Sequence, residues 1–429
     1  MAISGCHVMA KPTGSVCNID CRYCFYLEKE ALYPERQQHW KMSDETLDKY
    51  IRQHIAAQTS EQVVFAWQGG EPTMMGLEFF RRVISLCETY GHRRHIQHAL
   101  QTNGMLMNDE WAAFFAEHNF LIGLSVDGPQ PLHDRYRVTR SGKGTHERVM
   151  KALALLKRHG VAFNTLTVVG KHNVAHAVEV YQFLLQAGSR YIQFIPLVER
   201  LSTADDTPLH LVMPGDSAAE VAPWTVPAWQ YGEFLNQIFD IWVRRDVGRV
   251  SVQMFDVAMA AWNQEPPVLC VHAETCGHAF ALESNGDLYN CDHFVYPEHL
   301  LGNIHHQDIH TLNQSAQAIA FGDNKKATLT PDCQCCDYLF ACHGGCPKHR
   351  FSVSPGGAPR HNYLCAGYKH FFHHIKPQMD LMQDLLKAGY PAESIMQCLA
   401  QKRLKPAVAN RNALCPCGSG KKYKRCCAQ

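Results

Sequence analysis

The sequence predicts an α/β protein: a parallel sheet or barrel in its first half, then a loop-rich, cysteine-dense segment and a small basic tail. Two patterns carry that expectation. Short apolar runs bounded by turn residues alternate with longer stretches whose apolar residues recur at three- and four-residue spacing, and most of the 19 cysteines in the 429-residue chain gather in a few clusters. With 46% of residues hydrophobic and 19% charged, the composition is that of a globular protein. No apolar run reaches the roughly 18 residues expected of a membrane span, and no basic-then-apolar leader opens the chain. A cytoplasmic protein is expected.

Six strand-like runs come first: HVMAKP (7–12), VVFAWQ (63–68), IQHALQ (96–101), FLIGLSV (120–126), AFNTLTVV (162–169) and YIQFIPLV (191–198). Segments such as Leu77–Tyr90 and Arg148–His159 between them have helical spacing, so six strand-helix units are implied. Residues 201–228, rich in Pro and Asp, read as an excursion, and a helix is expected over about 230–245. Periodicity is lost between Cys270 and Cys365; a long helical pattern returns after Phe371 and ends near Leu404. The expected division is 1–230 for the barrel, 231–265 for a helical connection, 266–374 for the cysteine-dense domain, 375–404 for a C-terminal helix and 405–429 for the tail.

Net charge is +1, yet residues 402–429 hold eight Lys or Arg and no acid, leaving the rest at −7. Without a secretion signal, the cysteines read as metal ligands rather than a disulfide framework. Between Cys87 and Cys270 there is none, although much of the core must lie there. Cys6, Cys87 and Cys398 stand outside the clusters and read as structural thiols.

The first cluster is CNIDCRYCFY, in which Cys17, Cys21 and Cys24 follow the first strand. Four-iron clusters take four thiolates, so three leave one iron open; zinc would need a fourth ligand, for which His7 and His39 are the sequence neighbours. Ligand groups of parallel α/β folds collect at the carboxyl ends of strands. Gly69, Gly70, Glu71 and Pro72 follow the second strand, Thr102, Asn103 and Gly104 the third, and Ser125, Asp127 and Gly128 the fourth. The glycines would admit a ligand close to the backbone, and Glu71 could hold an ammonium group.

On Cys17, Cys21, Cys24, Phe25, Tyr26 and the GGEP of 69–72 the chain resembles the radical S-adenosylmethionine superfamily. The resemblance implies a partial (β/α)6 barrel whose open iron binds S-adenosylmethionine (AdoMet), cleaved to methionine and a 5′-deoxyadenosyl radical. It also marks Tyr26, Gln68, Ser125, Arg137 and Leu197, beside Gly69, Gly70 and Glu71, as candidates for the AdoMet pocket. Arg135 and Arg140 compete with Arg137 in RYRVTR.

Eight further cysteines suit two fully ligated clusters, or two structural zinc ions: Cys270, Cys276, Cys291, Cys333, Cys336, Cys342, Cys346 and Cys365. Their spacing is similar to the SPASM domain of peptide-modifying radical enzymes, and the chain from about Gly5 to His374 resembles the anaerobic sulfatase-maturating enzymes. The resemblance implies interleaved ligands, Cys270, Cys276, Cys291 and Cys346 for one cluster and Cys333, Cys336, Cys342 and Cys365 for the other. Cys335, inside CQCC, competes with Cys336. It further implies Asp292, within NCDHF, as a general base in oxidising a peptidyl Cys or Ser to Cα-formylglycine, with three 4Fe-4S clusters, an unfolded or nascent sulfatase as substrate, and a flavodoxin or ferredoxin as electron donor.

The tail ends RNALCPCGSGKKYKRCC, with Cys415, Cys417, Cys426 and Cys427 spaced for a compact Zn2+ site. It resembles the SEC-C motif, which implies contact with the ribosome or an export chaperone; a merely stable basic knuckle is the plain alternative. Two rivals to the whole reading are a radical enzyme that crosslinks a ribosomally made peptide and a zinc-rich adaptor without catalysis.

Overall fold

The computed structural model describes residues 5–36, 39–203, 211–212, 219–404, 421–422 and 425. The six expected strands form: β1 His7–Lys11, β2 Gln62–Trp67, β3 His95–Thr102, β4 Leu121–Ser125, β5 Phe163–Val169 and β6 Tyr191–Pro196. They pair in parallel in chain order. The helices between them are α1 Asp44–Ala57, α2 Leu77–Tyr90, α3 Asp109–Glu117, α4 His146–Arg158 and α5 Ala177–Ala187. Ser43 and Asn108 cap α1 and α3 by accepting from Thr46 N and Trp111 N. Each helix buries one apolar stripe on the sheet, as Phe79, Phe80, Val83 and Leu86 do on α2.

Four more strands lie in the same sheet. β7 Ser251–Val252 pairs with β6 at one end. At the other, β8 Ala279–Glu283 pairs in parallel with β1, and β9 Asp287–Tyr289 and β10 Leu300–Asn303 continue it antiparallel. The sheet is open at both ends, yet Met9 of β1, Phe280 of β8 and Gln253, next to β7, line one cavity, so it is curled.

One expectation needs correction here. The segment from Cys270 to Cys365, loop-rich as expected, also contributes β8, β9 and β10 and the helix Ala316–Ala327. Its strands are three to five residues long, too short for a periodic signal. The helix placed after Phe371 starts at Cys365, runs to Lys387 and is separate from a second helix, Ser394–Leu404. The break falls at Gly389, which has φ 82°, and Pro391, which has no N–H to donate. The 230–245 helix is Ala228–Arg245. Within the 201–228 excursion, Arg200–Ser202 pairs with Ala219–Val221, and the rest of it lies mostly outside the described residues. Cys415, Cys417, Cys426 and Cys427 also lie outside them.

Candidate active site

A cavity of about 500 Å³ opens at the carboxyl ends of the strands. Its wall includes Cys17, Cys21 and Cys24, every candidate for the AdoMet pocket (Tyr26, Gln68, Gly69, Gly70, Glu71, Ser125, Arg137 and Leu197), and Asp292 with Cys270, Cys276, Cys291 and Cys346.

The loop carrying the first three thiols is held from several sides. Ile19–Cys21 pairs antiparallel with Arg137–Thr139. Arg140 donates to Cys17 O at 2.7 Å, and Asn103 Nδ2 donates to Asn18 Oδ1 at 2.8 Å and approaches Cys17 Sγ at 3.5 Å. The GGE segment lies directly on this loop: Gly70 N donates to Gly14 O at 2.8 Å and Glu71 N to Val16 O at 3.0 Å. A Cβ at Gly70 would stand 1.9 Å from Val16 O. The close approach that requires glycine here is to the cysteine loop rather than to a ligand.

Glu71 is likewise a brace. Its Oε1 accepts from Thr73 N (3.1 Å), Thr73 Oγ1 (2.5 Å) and Thr102 Oγ1 (2.8 Å), and its Oε2 from Asn103 N at 2.8 Å. Burial raises its pKa, opposed by these four hydrogen bonds. These bonds make the carboxylate join the second and third strand ends, while Glu71 also lines the cavity. Arg137, buried, is engaged by Asp127 through Nε (2.8 Å) and Nη2 (3.3 Å), and Asp127 also accepts from Tyr23 OH at 2.6 Å. Its competitors Arg135 and Arg140 are exposed.

Across the cavity, Asp292 pairs with Lys11, the last residue of β1. Lys11 is 1% exposed, lies 3.4 Å from Gln68 Oε1 and sits 4.5 Å above the Tyr26 ring, whose hydroxyl bonds Glu283. Burial alone would raise the Asp292 pKa, but Lys11, His293 and Lys29 bring it below the ordinary carboxylate value. Lys29 is lowered to about 7, chiefly by burial, with Asp292 opposing. A second buried pair, Glu199–Lys348 at 2.5 Å, completes the wall. Lys11, Lys29, Glu283, Glu199 and Lys348 were not singled out from sequence; the available signal was a lysine ending the apolar run of β1.

The later cysteines sort into two groups by which thiols feel one another's charge. Cys270 and Cys346 act on Cys276 and Cys291, and Cys270 on Cys346. Cys365, Cys333 and Cys336 act on Cys342, which burial first and these neighbours next push to about 12. Cys335 is exposed, whereas Cys336 is near enough to Cys342 and Cys365 to act on both. The first group opens on the cavity; the second does not reach its wall. Cys6 and Cys87 are buried free thiols.

The sequence matches the Radical SAM superfamily over residues 12–184, an iron-sulfur cluster-binding domain, SPASM, over 270–337, and the SEC-C motif over 411–429. A serine-type anaerobic sulfatase-maturating enzyme of Bacteroides thetaiotaomicron is 44% identical over 93% of this chain and 96% of its own. The chain belongs to the anaerobic sulfatase-maturating enzymes. A cysteine-type enzyme of Clostridium novyi is 32% identical over 85% of this chain and 94% of its own. The structure of native anSMEcpe with bound AdoMet and the Cp18Cys peptide superposes with a TM-score of 0.77 at 29% identity, over 89% of this chain and 99% of that one. SuiB of Streptococcus suis, with a TM-score of 0.57 at 14% identity over 85% and 76%, shares the fold.

This sulfatase-maturating enzyme is thus a radical SAM oxidoreductase using AdoMet and iron-sulfur clusters, on a partial α/β barrel followed by a SPASM domain. The residues fit those groups. Cys17 is raised to about 12 by burial, with Glu71 and Cys24 adding, and Cys21 and Cys24 are also raised by burial. Such thiols stay protonated until a metal ion compensates their charge. No helix among the described residues is long and apolar enough to cross a membrane.

Proposed function

We propose that this enzyme oxidises a peptidyl serine of an unfolded or nascent sulfatase to Cα-formylglycine, and accepts cysteine in the same position. The observation that carries this reading is the common cavity joining the Cys17–Cys24 loop to Asp292 and to Cys270, Cys276, Cys291 and Cys346. Serine comes first because the 44%-identical relative is named serine-type, whereas the cysteine-type relative is 32% identical.

Bound AdoMet and the clusters supply a hydrogen-abstracting radical and an acceptor for one electron. The chain's residues do the rest. Tyr26, Gln68, Gly69, Gly70, Ser125, Arg137 and Leu197 shape the AdoMet side of the cavity, with Glu71 fixing the backbone from behind. Asp292, kept ionised by Lys11, takes the hydroxyl proton. Loss of a hydrogen atom, a proton and an electron turns –CH2–OH into –CHO; cysteine needs water besides, with release of sulfide.

Three 4Fe-4S clusters are assigned: one on Cys17, Cys21 and Cys24, one on Cys270, Cys276, Cys291 and Cys346, one on Cys333, Cys336, Cys342 and Cys365. Supporting them are the matches to the Radical SAM superfamily and to the iron-sulfur cluster-binding SPASM domain. The SEC-C tail is assigned Zn2+ on Cys415, Cys417, Cys426 and Cys427, a ribosome or export-chaperone contact, and cytoplasmic work on substrates before they fold. A flavodoxin or ferredoxin is the proposed electron donor. The division at 230, 265, 374 and 404 is a functional one, because the helices Ala228–Arg245 and Cys365–Lys387 run across two of its boundaries.

The test is anaerobic incubation of reconstituted enzyme with AdoMet, reductant and paired sulfatase peptides carrying Ser or Cys, read by mass spectrometry. A 2 Da loss from the Ser peptide is expected; a crosslinked product or an unmodified peptide refutes the reading.

A further inference from the structure

Two buried cations lie against the later cysteines, and among the described residues neither pairs with a carboxylate. Lys325, 1% exposed, sends its ammonium into the turn that carries Cys270, donating to Cys270 O at 2.7 Å, Val271 O at 2.9 Å and Ala273 O. These three oxygens match the three donors of an ammonium group. Arg350, 8% exposed and always charged, donates to His343 O and Gly344 O at 3.2 Å, Lys325 O at 2.6 Å and Thr328 Oγ1 at 3.1 Å.

The two carbonyls from residues 343 and 344 sit between Cys342, of the second group, and Cys346, of the first. Arg350 accordingly lies against the turn that joins a ligand of one group to a ligand of the other, whereas Lys325 lies against the Cys270 turn of the first group. The turn packs closely on the guanidinium and on Leu329: a Cβ at Gly344 would lie 2.4 Å from Leu329 Cδ2 and 2.8 Å from Arg350 Nη2.

Burying a cation without an opposite charge is strongly unfavourable. Among the described residues their hydrogen bonds all go to neutral oxygens, and the nearby groups able to supply compensating charge are the thiolates once they are ligated. We infer that Lys325 and Arg350 set the reduction potentials of the two auxiliary clusters, Lys325 that of the cavity-side cluster alone and Arg350 those of both. Each cation favours the more negative, reduced cluster, which makes the cavity-side cluster a better acceptor for the electron leaving the substrate. The inference rests on the cysteine assignment above and asks something further of it.

The experiment is a redox titration of the reconstituted enzyme followed by electron paramagnetic resonance, with iron and sulfide measured beside it. K325Q should lower the midpoint of one auxiliary signal and R350Q those of both, each by at least tenfold in the one-electron constant, about 59 mV. The charge-preserving K325R and R350K should stay near the parent. Unchanged midpoints in loaded K325Q and R350Q overturn the inference, as does an equal fall in the charge-preserving pair. Loss of iron from both neutral variants overturns it too, leaving the side chains a role in loop architecture alone. If the parent itself holds fewer than three clusters, the cysteine assignment fails instead.

Discussion

Replacing Gly70 by Ala tests whether the GGE segment works by gripping the cysteine loop. The added methyl would lie 1.9 Å from Val16 O and 2.4 Å from Val16 C, both backbone atoms that no rotamer change can move. To bring that contact beyond 3.0 Å, the two segments must part by more than about 1 Å. The hydrogen bonds Gly70 N to Gly14 O and Glu71 N to Val16 O would open with them, and Cys17 follows Val16 directly. Misplacement by about 1 Å costs on the order of 100-fold where reacting groups must be aligned. The expected result is AdoMet cleavage to 5′-deoxyadenosine, assayed without peptide, roughly 100-fold slower in G70A, while far-ultraviolet circular dichroism stays that of the parent. Gly142 is the control, since a Cβ there meets nothing within 4 Å and its φ of +78° leaves only a left-handed strain of about 1–2 kcal/mol. If G70A cleaves AdoMet within threefold of the parent, the grip on the loop has no mechanistic importance.

Three further outcomes are expected. In D292N, formylglycine formation should fall at least about 100-fold, the usual size of a general-base contribution, while 5′-deoxyadenosine continues to form at close to the parental rate; equal loss of both would remove the base assignment. C336S should lose about four irons per chain on reconstitution and C335S none, because Cys336 and not the exposed Cys335 faces Cys342 and Cys365. His98, stacked 4.7 Å from Phe120 and 5.5 Å from Phe65, has its pKa lowered to about 4 by burial. Below pH 6.5 the unfolded chain takes up a proton that the native imidazole refuses, so stability falls as pH drops from 6.5 towards 4, by up to about 3 kcal/mol from this group. H98F should flatten that part of the stability-pH curve in denaturant unfolding, and an unaltered slope would refute the attribution.

The six strands and the cysteine triplet were legible because each is a local signal: strand-length apolar runs, or three thiols within eight residues. The sorting of eight later cysteines into two interleaved groups was not, since spacing alone permits other pairings and only the resemblance chose one. The bracing role of Glu71 was hidden for a related reason. Its residue type suggested a ligand, but its four donors come from Thr73, Thr102 and Asn103, and the third strand reaches it only through the fold.

The Lys11–Asp292 pair shows what lay furthest from view. The two residues are 281 positions apart, and what unites them is β8, a short strand within the loop-rich region. β8 pairs with β1 in a register that sets Glu283 beside Lys11, and β9 then returns antiparallel along β8 and delivers the chain to Cys291 and Asp292. The SPASM segment is therefore not simply appended to the barrel. It extends the barrel's own sheet, and that shared edge puts Asp292 and the first auxiliary group into the wall of the cavity where the Cys17–Cys24 loop begins the chemistry. A substitution that loosened the β1–β8 pairing would uncouple peptide oxidation from AdoMet cleavage even with every cysteine in place, because only the barrel half of the cavity would then remain fixed.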